Sequence, residues 1–319
     1  MRKLFAGLSA FAIACAAALP SLAQDNPLPQ GAITLVIPFA AGGPLDGVAR
    51  IMVEKLGPRI NRTFVVENRL GAGGDIAAAS VAKANPDGRT WLFATDSVFT
   101  INPHMNPNRT YDPAALSAVS MIGETILLLA VNAQKVNANT FPELVAASKQ
   151  RSLSFGSAGI GSPGHMAFQY LRSVSDIEGV HVPYRGAALA LQDLVSGQID
   201  ASFIVSGVLV PHVKSGALRA IAVSANRRIE ALPDVPTARE AGIRDFEARF
   251  TNILLVPSKT EPAIKAFIEK ESLAVAADPD FKTRINAIST ELLAVGSKEA
   301  NEWIERERER WGQVIAKTK

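Results

Sequence analysis

Cysteine is almost absent: Cys15 is the single one in 319 residues. No intrachain disulfide can form, and no cysteine zinc cluster can be built. Aromatic residues make up only 6% of the chain, and its basic residues are scattered among acids. That excludes the basic, aromatic-studded surface of a nucleic-acid binder. The four histidines, His104, His165, His181 and His212, lie far apart with no metal-ligand spacing, so no metal and no cofactor is expected. No later apolar run approaches the roughly 20 residues of a membrane helix. The longest, Ile126 to Val131, has the length of a buried strand.

Enzyme signatures are missing as well. Phe155 and Ile160 stand where a Gly-x-Ser-x-Gly elbow around Ser157 or Ser162 needs its first glycine,. Gly71-Ala72-Gly73-Gly74 is not a dinucleotide fingerprint, and no Walker-type Gly-Lys-Ser/Thr occurs,. Spatial convergence of Ser162, His165 and an acid stays open, but nothing in the sequence requires it.

What the chain does have is 48% hydrophobic and 20% charged residues, the balance of a folded globular protein,. Its length suggests two domains or one large one. The N-terminus reads as an address. Met1-Arg2-Lys3 is a positive head, Leu4 to Leu19 is uncharged, and Pro20 precedes Ser21-Leu22-Ala23, a small-residue site for cleavage before Gln24,. The rival reading is a lipoprotein signal acylated at Cys15, for which Ala12-Ile13-Ala14 is a poor lead-in. Removal of residues 1–23 takes away Arg2, Lys3 and Cys15 and lowers the formal net charge from +3 to +1.

The remainder alternates strands and helices. Ile33 to Ile37, Phe64 to Val66 and Thr90 to Ala94 read as strands. Between them lie a helix with Val48, Ile51, Met52, Leu56 and Ile60 at helical spacing and a second from Ile76 to Ala84,. Two βαβ steps predict a parallel, doubly wound sheet. The pattern repeats with strands at Ser154, Val180, Ala201 and Leu218 and helices at Ser162 to Ser173, Ala187 to Ser196 and Val208 to Lys214. Ile253 to Val256 is a later strand. A last helix from Ser297 carries Trp303, Ile304, Trp311, Val314 and Ile315 as its buried stripe, with a solvated, ion-paired Glu/Arg face,.

In such sheets ligands collect where strands end and helices begin, and helix starts favour anions. Three loops of this kind are present. The first is Pro38 to Asp46, with Gly42 and Gly43 permitting close backbone approach and Asp46 as helix cap. The second is Thr95-Asp96-Ser97. The third runs from Gly156 to His165, with Ser162 as N-cap and Pro163 at the first helical position,.

These loops belong to a longer series. Ile37-Pro38-Phe39-Ala40-Ala41-Gly42-Gly43 with Asp46 is followed by Val65-Val66-Glu67-Asn68-Arg69 and Gly71 to Gly74, then Pro86-Asp87-Gly88 and Tyr111-Asp112-Pro113. Gly156-Ser157, Gly161-Ser162 and His165, then His181-Val182-Pro183-Tyr184-Arg185-Gly186, and finally Leu232-Pro233-Asp234-Val235-Pro236-Thr237 complete it. In this series the chain resembles the extracytoplasmic solute receptors of the tripartite tricarboxylate transporter family, the Bug-type receptors. The resemblance implies an α/β periplasmic-binding-protein (venus flytrap) fold, two doubly wound domains with a ligand cleft between them. It implies domain 1 from 24–123 and 225–319, domain 2 from 124–224, and residues 1–23 as the signal peptide.

The implied ligand is a small organic carboxylate, passed to a membrane permease by a periplasmic monomer that is not an enzyme. The alternatives are a sensing partner in a signalling system or a secreted serine hydrolase. Backbone amides of Ala41, Gly42 and Gly43 would hold one ligand end. Thr95, Ser97, Ser157 and Ser162 would supply hydroxyls, the helix starts at Asp46 and Ser162 would face the anion, and His165 and Tyr184 would line the cleft. Arg185 reads as a solvated arginine beside a turn. Ile204 stands where the family often has an acid, which leans towards a plain or aromatic carboxylate and away from an amino acid. Phe250 and Asn252 replace a common tryptophan and glycine near the expected hinge.

Overall fold

The computed structural model describes residues 26–106, 109–244, 246 and 248–318. The leader, Cys15 and the expected cut after Ala23 lie outside them. The first lobe opens with β1 (Ile33–Ile37), α1 (Pro44–Ile60), β2 (Phe64–Asn68), α2 (Asp75–Ala82) and β3 (Thr90–Thr95). Two single-turn helices follow, α3 (Ser97–Thr100) and α4 (Asn102–Met105), and then β4 (Leu116–Thr125). The second lobe comprises β5 (Leu127–Asn132), α5 (Phe141–Gln150), β6 (Leu153–Ser157), α6 (Pro163–Val174), β7 (Gly179–Pro183), α7 (Ala187–Ser196), β8 (Ala201–Val205), α8 (Ser206–Lys214) and β9 (Leu218–Val223). The chain then returns through β10 (Phe250–Pro257), α9 (Pro262–Ala276), α10 (Pro279–Ala287), β11 (Thr290–Gly296) and α11 (Ser297–Thr318).

Each lobe is built on one sheet. The first has strand order β11-β4-β10-β3-β1-β2 and the second β7-β6-β8-β5-β9. The early strands of each pair in parallel, β1 with β2 and β3, and β6 with β7 and β8. That matches the βαβ reading. Both sheets are nevertheless mixed, because β10 runs antiparallel to β3 and β4, β11 to β4, and β5 to β8 and β9. The antiparallel pairings all involve β4, β5, β9 or β10, the strands beside the passages between lobes. Strands enclosed between helices on both faces carry continuous apolar runs, as Ile33, Leu35, Val36 and Ile37 do here, all fully buried.

The first crossing between lobes is a single residue, Ile126, whose N–H reaches Ser289 O (3.3 Å) and whose carbonyl accepts from Ser206 N (2.9 Å). The chain leaves β9 at Ser224, whose hydroxyl accepts from Leu127 N at 3.0 Å, and returns to the first sheet only at β10. Residues 225–249, placed in domain 1 by sequence, divide differently in space. Ala238, Ile243, Phe246 and Ala248 pack into the second lobe's core with Phe155, Phe168 and Phe203. The reason is local: Ala238 N bonds to Val223 O, pinning this segment alongside β9.

The last helix belongs to both lobes. Ala300 and Ile304 pack under the first sheet, whereas Trp311, Val314 and Ile315 enter the second lobe's core. Its Glu/Arg face forms the expected local pairs, Glu305 with Arg308 and Glu307 with Arg310.

Candidate functional site

The strand ends of the two sheets face one another across the crossing, and the three loops foreseen in the sequence lie there. The β1–α1 turn is held from within. Helix α1 is capped by Gly43 in extended conformation, with Pro44 in its first turn. Asp46 is therefore not the cap. It sits in the first turn, almost fully buried, and reaches back to accept the Gly42 N–H at 2.9 Å. It also accepts from Arg50 Nε at 2.7 Å and Asn68 Nδ2 at 3.0 Å. Burial alone would raise its pKa, but the bonds from Arg50, Asn68 and Gly42 outweigh this and hold it below the usual carboxylate range,. Asp46 is a buckle that faces its own loop. The Gly43 N–H is also spent, on Ala40 O at 3.2 Å. Of the three amides expected to hold a ligand, that of Ala41 lacks a partner among the described residues. The other open donors at this end are the amides of the first turn of α1, which no side chain caps.

On the second loop, Thr95 Oγ1 and Ser97 Oγ lie 2.7 Å apart, both buried. Asp96 between them turns the other way, into the sheet. It accepts from Trp303 Nε1 (3.0 Å) and Thr251 N (3.2 Å), and burial pushes it up to about 7. Nearby, Arg249 binds the carboxylate of Glu124 and stacks over Trp303 at 5.1 Å. These charges satisfy one another beside the interlobe crossing.

The third loop forms a hydroxyl–imidazole network. Ser157 Oγ, at the end of β6, accepts from Gly159 N at 3.1 Å and lies 3.3 Å from Ser162 Oγ and 2.7 Å from His181 Nε2. Ser162 caps α6 by accepting from His165 N, as the Ser-Pro signature predicted. Gly161 donates to His165 Nδ1 at 3.1 Å, and the Gln169 amide nitrogen lies 3.3 Å from His165 Nε2. The rings of His165 and His181 stack at 4.0 Å. Burial drives both down to about 4, with His181 adding to the effect on His165, so both are neutral at pH 7. His181 was passed over as a lone histidine. It reaches Ser157 only because β6 and β7 pair in parallel, opposite Phe155.

Two further expected residues have their side chains engaged within the second lobe, although the Tyr184 N–H reaches Ser157 O at 3.0 Å beside the third loop. Tyr184 donates its hydroxyl to Asp193 at 2.7 Å, and burial together with that carboxylate raises it to about 12. It braces α7 and offers no donor to a ligand. Ile204 packs with Leu128, Leu194, Leu209 and Val223 in the core beneath α7 and α8. Its apolar side chain fills the lobe, not the cleft. Among the described residues, no group of three or more His, Cys, Asp or Glu is placed to hold a metal.

The lobes touch at one edge of the cleft. Asn102 Nδ2 donates to Gly73 O (3.1 Å) and Asp75 Oδ1 (3.0 Å). Against this knot rests Gly161, where a Cβ would lie 3.1 Å from Asn102 Oδ1 and 3.6 Å from Gly73 Cα. Two lobes, the passages between them and opposed anion-ready loops define a periplasmic-binding-protein-type receptor. The particular family follows from its relatives. The tripartite tricarboxylate transporter family receptor model matches residues 48–319, and the chain belongs to that family. It is 33% identical over 276 residues to the UPF0065 protein in the TAR-I ttuE-ttuC' intergenic region of Agrobacterium vitis, covering 85% of this chain and 79% of that one. Its fold matches MatC of Rhodopseudomonas palustris with bound malate (TM-score 0.83, 28% identity, 90% of this chain and 100% of that one). It also matches R. palustris Rpa4515 with adipate (TM-score 0.84, 28% identity, 91% and 98%).

Proposed function

We propose that this chain is a periplasmic solute-binding receptor that captures a small organic carboxylate between its lobes and delivers it to the membrane permease of a tripartite tricarboxylate transporter. The observation that supports this most is the pair of opposed donor sets. One consists of the Ala41 amide, the uncapped first turn of α1, Thr95 and Ser97; the other of Ser157 and Ser162 at the start of α6. Helix starts and hydroxyls favour an anionic oxygen without requiring a charged side chain. The relatives bound to malate and adipate agree with this chemistry. A carboxylate that bridges both lobes stabilises the closed arrangement over the open one, and that population shift is the signal a permease reads. The leader directs export, with cleavage after Ala23, and the mature receptor works as a monomer.

Ser157 and His181 at 2.7 Å give a hydrolase reading its one favourable observation. The pair lacks an orienting acid: His181 Nδ1 has no partner among the described residues, and Ser157 is almost completely buried. We assign the pair to binding. Absence of labelling by a serine-reactive fluorophosphonate is expected, and stoichiometric labelling of Ser157 would restore the enzyme.

A thermal-shift screen of the mature chain over dicarboxylates, tricarboxylates, aromatic acids, amino acids and uncharged sugars tests the receptor reading. A true ligand at 100-fold excess over its dissociation constant adds about 2.7 kcal/mol of stability. A shift with sugars and none with any carboxylate would refute the ligand class.

A further inference from the structure

Between the hydroxyls of Thr95 and Ser97, the side chain of Asp96 turns inward and is only 1% exposed. The residue fastens three parts of the chain together. Its N–H donates to Thr251 O at 2.9 Å, and one carboxyl oxygen accepts from Thr251 N at 3.2 Å. The other oxygen accepts from Trp303 Nε1 at 3.0 Å. Phe99 N and Thr100 N close the loop on Asp96 O at 2.8 and 2.9 Å. The loop is thereby tied to β10, where the chain re-enters the first sheet, and to α11, which is buried in both lobes.

This carboxyl has no bonded cation among the described residues. Arg249, just ahead of β10, lies over the Trp303 ring at 5.1 Å but donates to Glu124 of β4. Arg306 lies over the same ring at 5.3 Å. Arg308 donates to Phe99 O and pairs with Glu305, and its own carbonyl is bonded to His104 of α4. Glu307, buried and paired with Arg310, adds a negative charge that opposes ionisation of Asp96. A buried carboxyl with a carboxylate neighbour and no bonded cation favours its neutral form. The Thr251 hydroxyl faces the same carboxyl and has no other partner. A hydroxyl there can donate to the carboxylate or accept from the acid, so both forms fit.

We propose that Asp96 couples anion capture to a proton: an anion settling at Thr95 is received with Asp96 in its acid form, and a proton from solvent enters with it. This rests on the receptor reading above. The step is acid–base only. The Asp96 carboxylate takes one H⁺ from the buffer, no bond to the anion forms or breaks, and the proton offsets the charge that the anion brings. Thr95 immediately precedes Asp96 and both are buried, so the two like charges would repel strongly,. By reciprocity, whatever favours the acid favours the anion. Burial already brings the carboxyl of the ligand-free chain to about 7, so the exchange falls near neutral pH. Capture is favoured on the acid side and release on the alkaline side. Asp96 acts through its charge and its loop, without touching the anion, and is a positioning residue.

The test is calorimetric titration of the mature chain with malate and adipate between pH 6.5 and 8.5, where both acids are ionised at both ends. Runs at pH 7.5 in phosphate and in Tris, whose ionisation heats differ, count the protons. The wild type is expected to bind about fivefold more weakly at pH 8.5 than at pH 6.5, as one pKa unit of coupling gives. It is expected to take up roughly half a proton per anion at pH 7.5. Asp96→Asn, neutral at every pH, is expected to bind equally at both ends of the range and to take up no proton. Trp303→Phe is the independent variant. It removes a bond that favours the carboxylate, so its proton-uptake maximum is expected at higher pH than that of the wild type.

Proton uptake that persists in folded Asp96→Asn, as titration of His165 and His181 would produce, overturns the proposal. So does a wild-type affinity that does not change with pH. Weaker binding by Asp96→Asn with the wild-type pH profile retained shows a structural role only and also overturns it. If Asp96→Asn does not fold, an unmoved profile in Trp303→Phe has the same consequence. A wild type that binds neither malate nor adipate removes the receptor reading on which the proposal rests, an outcome distinct from the others.

Discussion

Asp46 shows how the shape of a loop is fixed by one buried carboxylate. Its two oxygens take three donors, so the β1–α1 turn keeps its shape and the Ala41 amide stays available. Asp46→Ala should weaken carboxylate binding roughly tenfold through loop disorder while the fold survives, since one buried, charge-assisted set of bonds is lost. Titration calorimetry alongside thermal unfolding reads both quantities. The buried titratable groups set opposing pH dependences. Asp96 rises from 3.8 to about 7 through burial, aided by Glu307 and opposed by the Trp303 N–H. Between those values the folded chain keeps a proton that the unfolded chain has released. The contribution of Asp96 is therefore fully present below 3.8 and is lost as the pH rises through 7. His165 and His181 act in the other sense. Lowered to about 4, they cost stability as the pH falls from 6.5 towards 4, because the unfolded chain takes up protons that they refuse,. Asp96→Asn should raise the melting point by several degrees at pH 8, with the gain vanishing near pH 4. His181→Phe keeps the ring stack and should flatten the loss between pH 6.5 and 4. Melting curves across pH 4–8 would show either slope to be wrong.

At the scale of elements, the second lobe's glycine loop does two jobs. It presents Ser157 and Ser162, and it places Gly161, with φ of 78°, against Gly73 and Asn102 of the first lobe. Gly161→Val should prop this edge apart and strain the loop, weakening ligand binding at least about tenfold with little change in far-UV circular dichroism. Wild-type affinity in that variant would show that the contact plays no part in closure. Local elements were the readable ones. The βαβ steps, the Ser162-Pro163 helix start and the stripe of α11 all follow from residues adjacent in sequence. Strand β4 was not readable, because Ser117, Ser120 and Glu124 interrupt its apolar pattern. Ser120 is nonetheless buried by accepting from Ser272, and Glu124 by pairing with Arg249. Strand β11 likewise carries Glu291 paired with Arg227. Helix α5 had a readable start that the strand–helix alternation missed, since Thr140 Oγ1 accepts from Glu143 N and the Glu143 carboxylate accepts from Asn139 N,. The candidate site divides along the same line. Ser157, Ser162 and His165 come together within one loop, whereas His181 joins them only through strand register.

For the whole molecule, a formal net charge of +3 over 319 residues makes only a weak global field, so recognition of an anion would rest on local donors in the three glycine- and hydroxyl-bearing loops,. The halves are joined by the single-residue crossing at Ile126, the return into β10 and α11, which is buried in both lobes. Wherever Trp311, Val314 and Ile315 stay seated, α11 must travel with the second lobe or flex along its length. The account's central claim is that a small carboxylate bridges the two lobes. A crystal structure of the mature chain grown with malate tests it most directly. One carboxylate is expected within hydrogen-bond distance of Ser157 or Ser162 on the second lobe, with an oxygen of the same molecule on the Ala41 amide or Thr95 of the first. Malate bound to a single lobe, or outside the cleft, would contradict it.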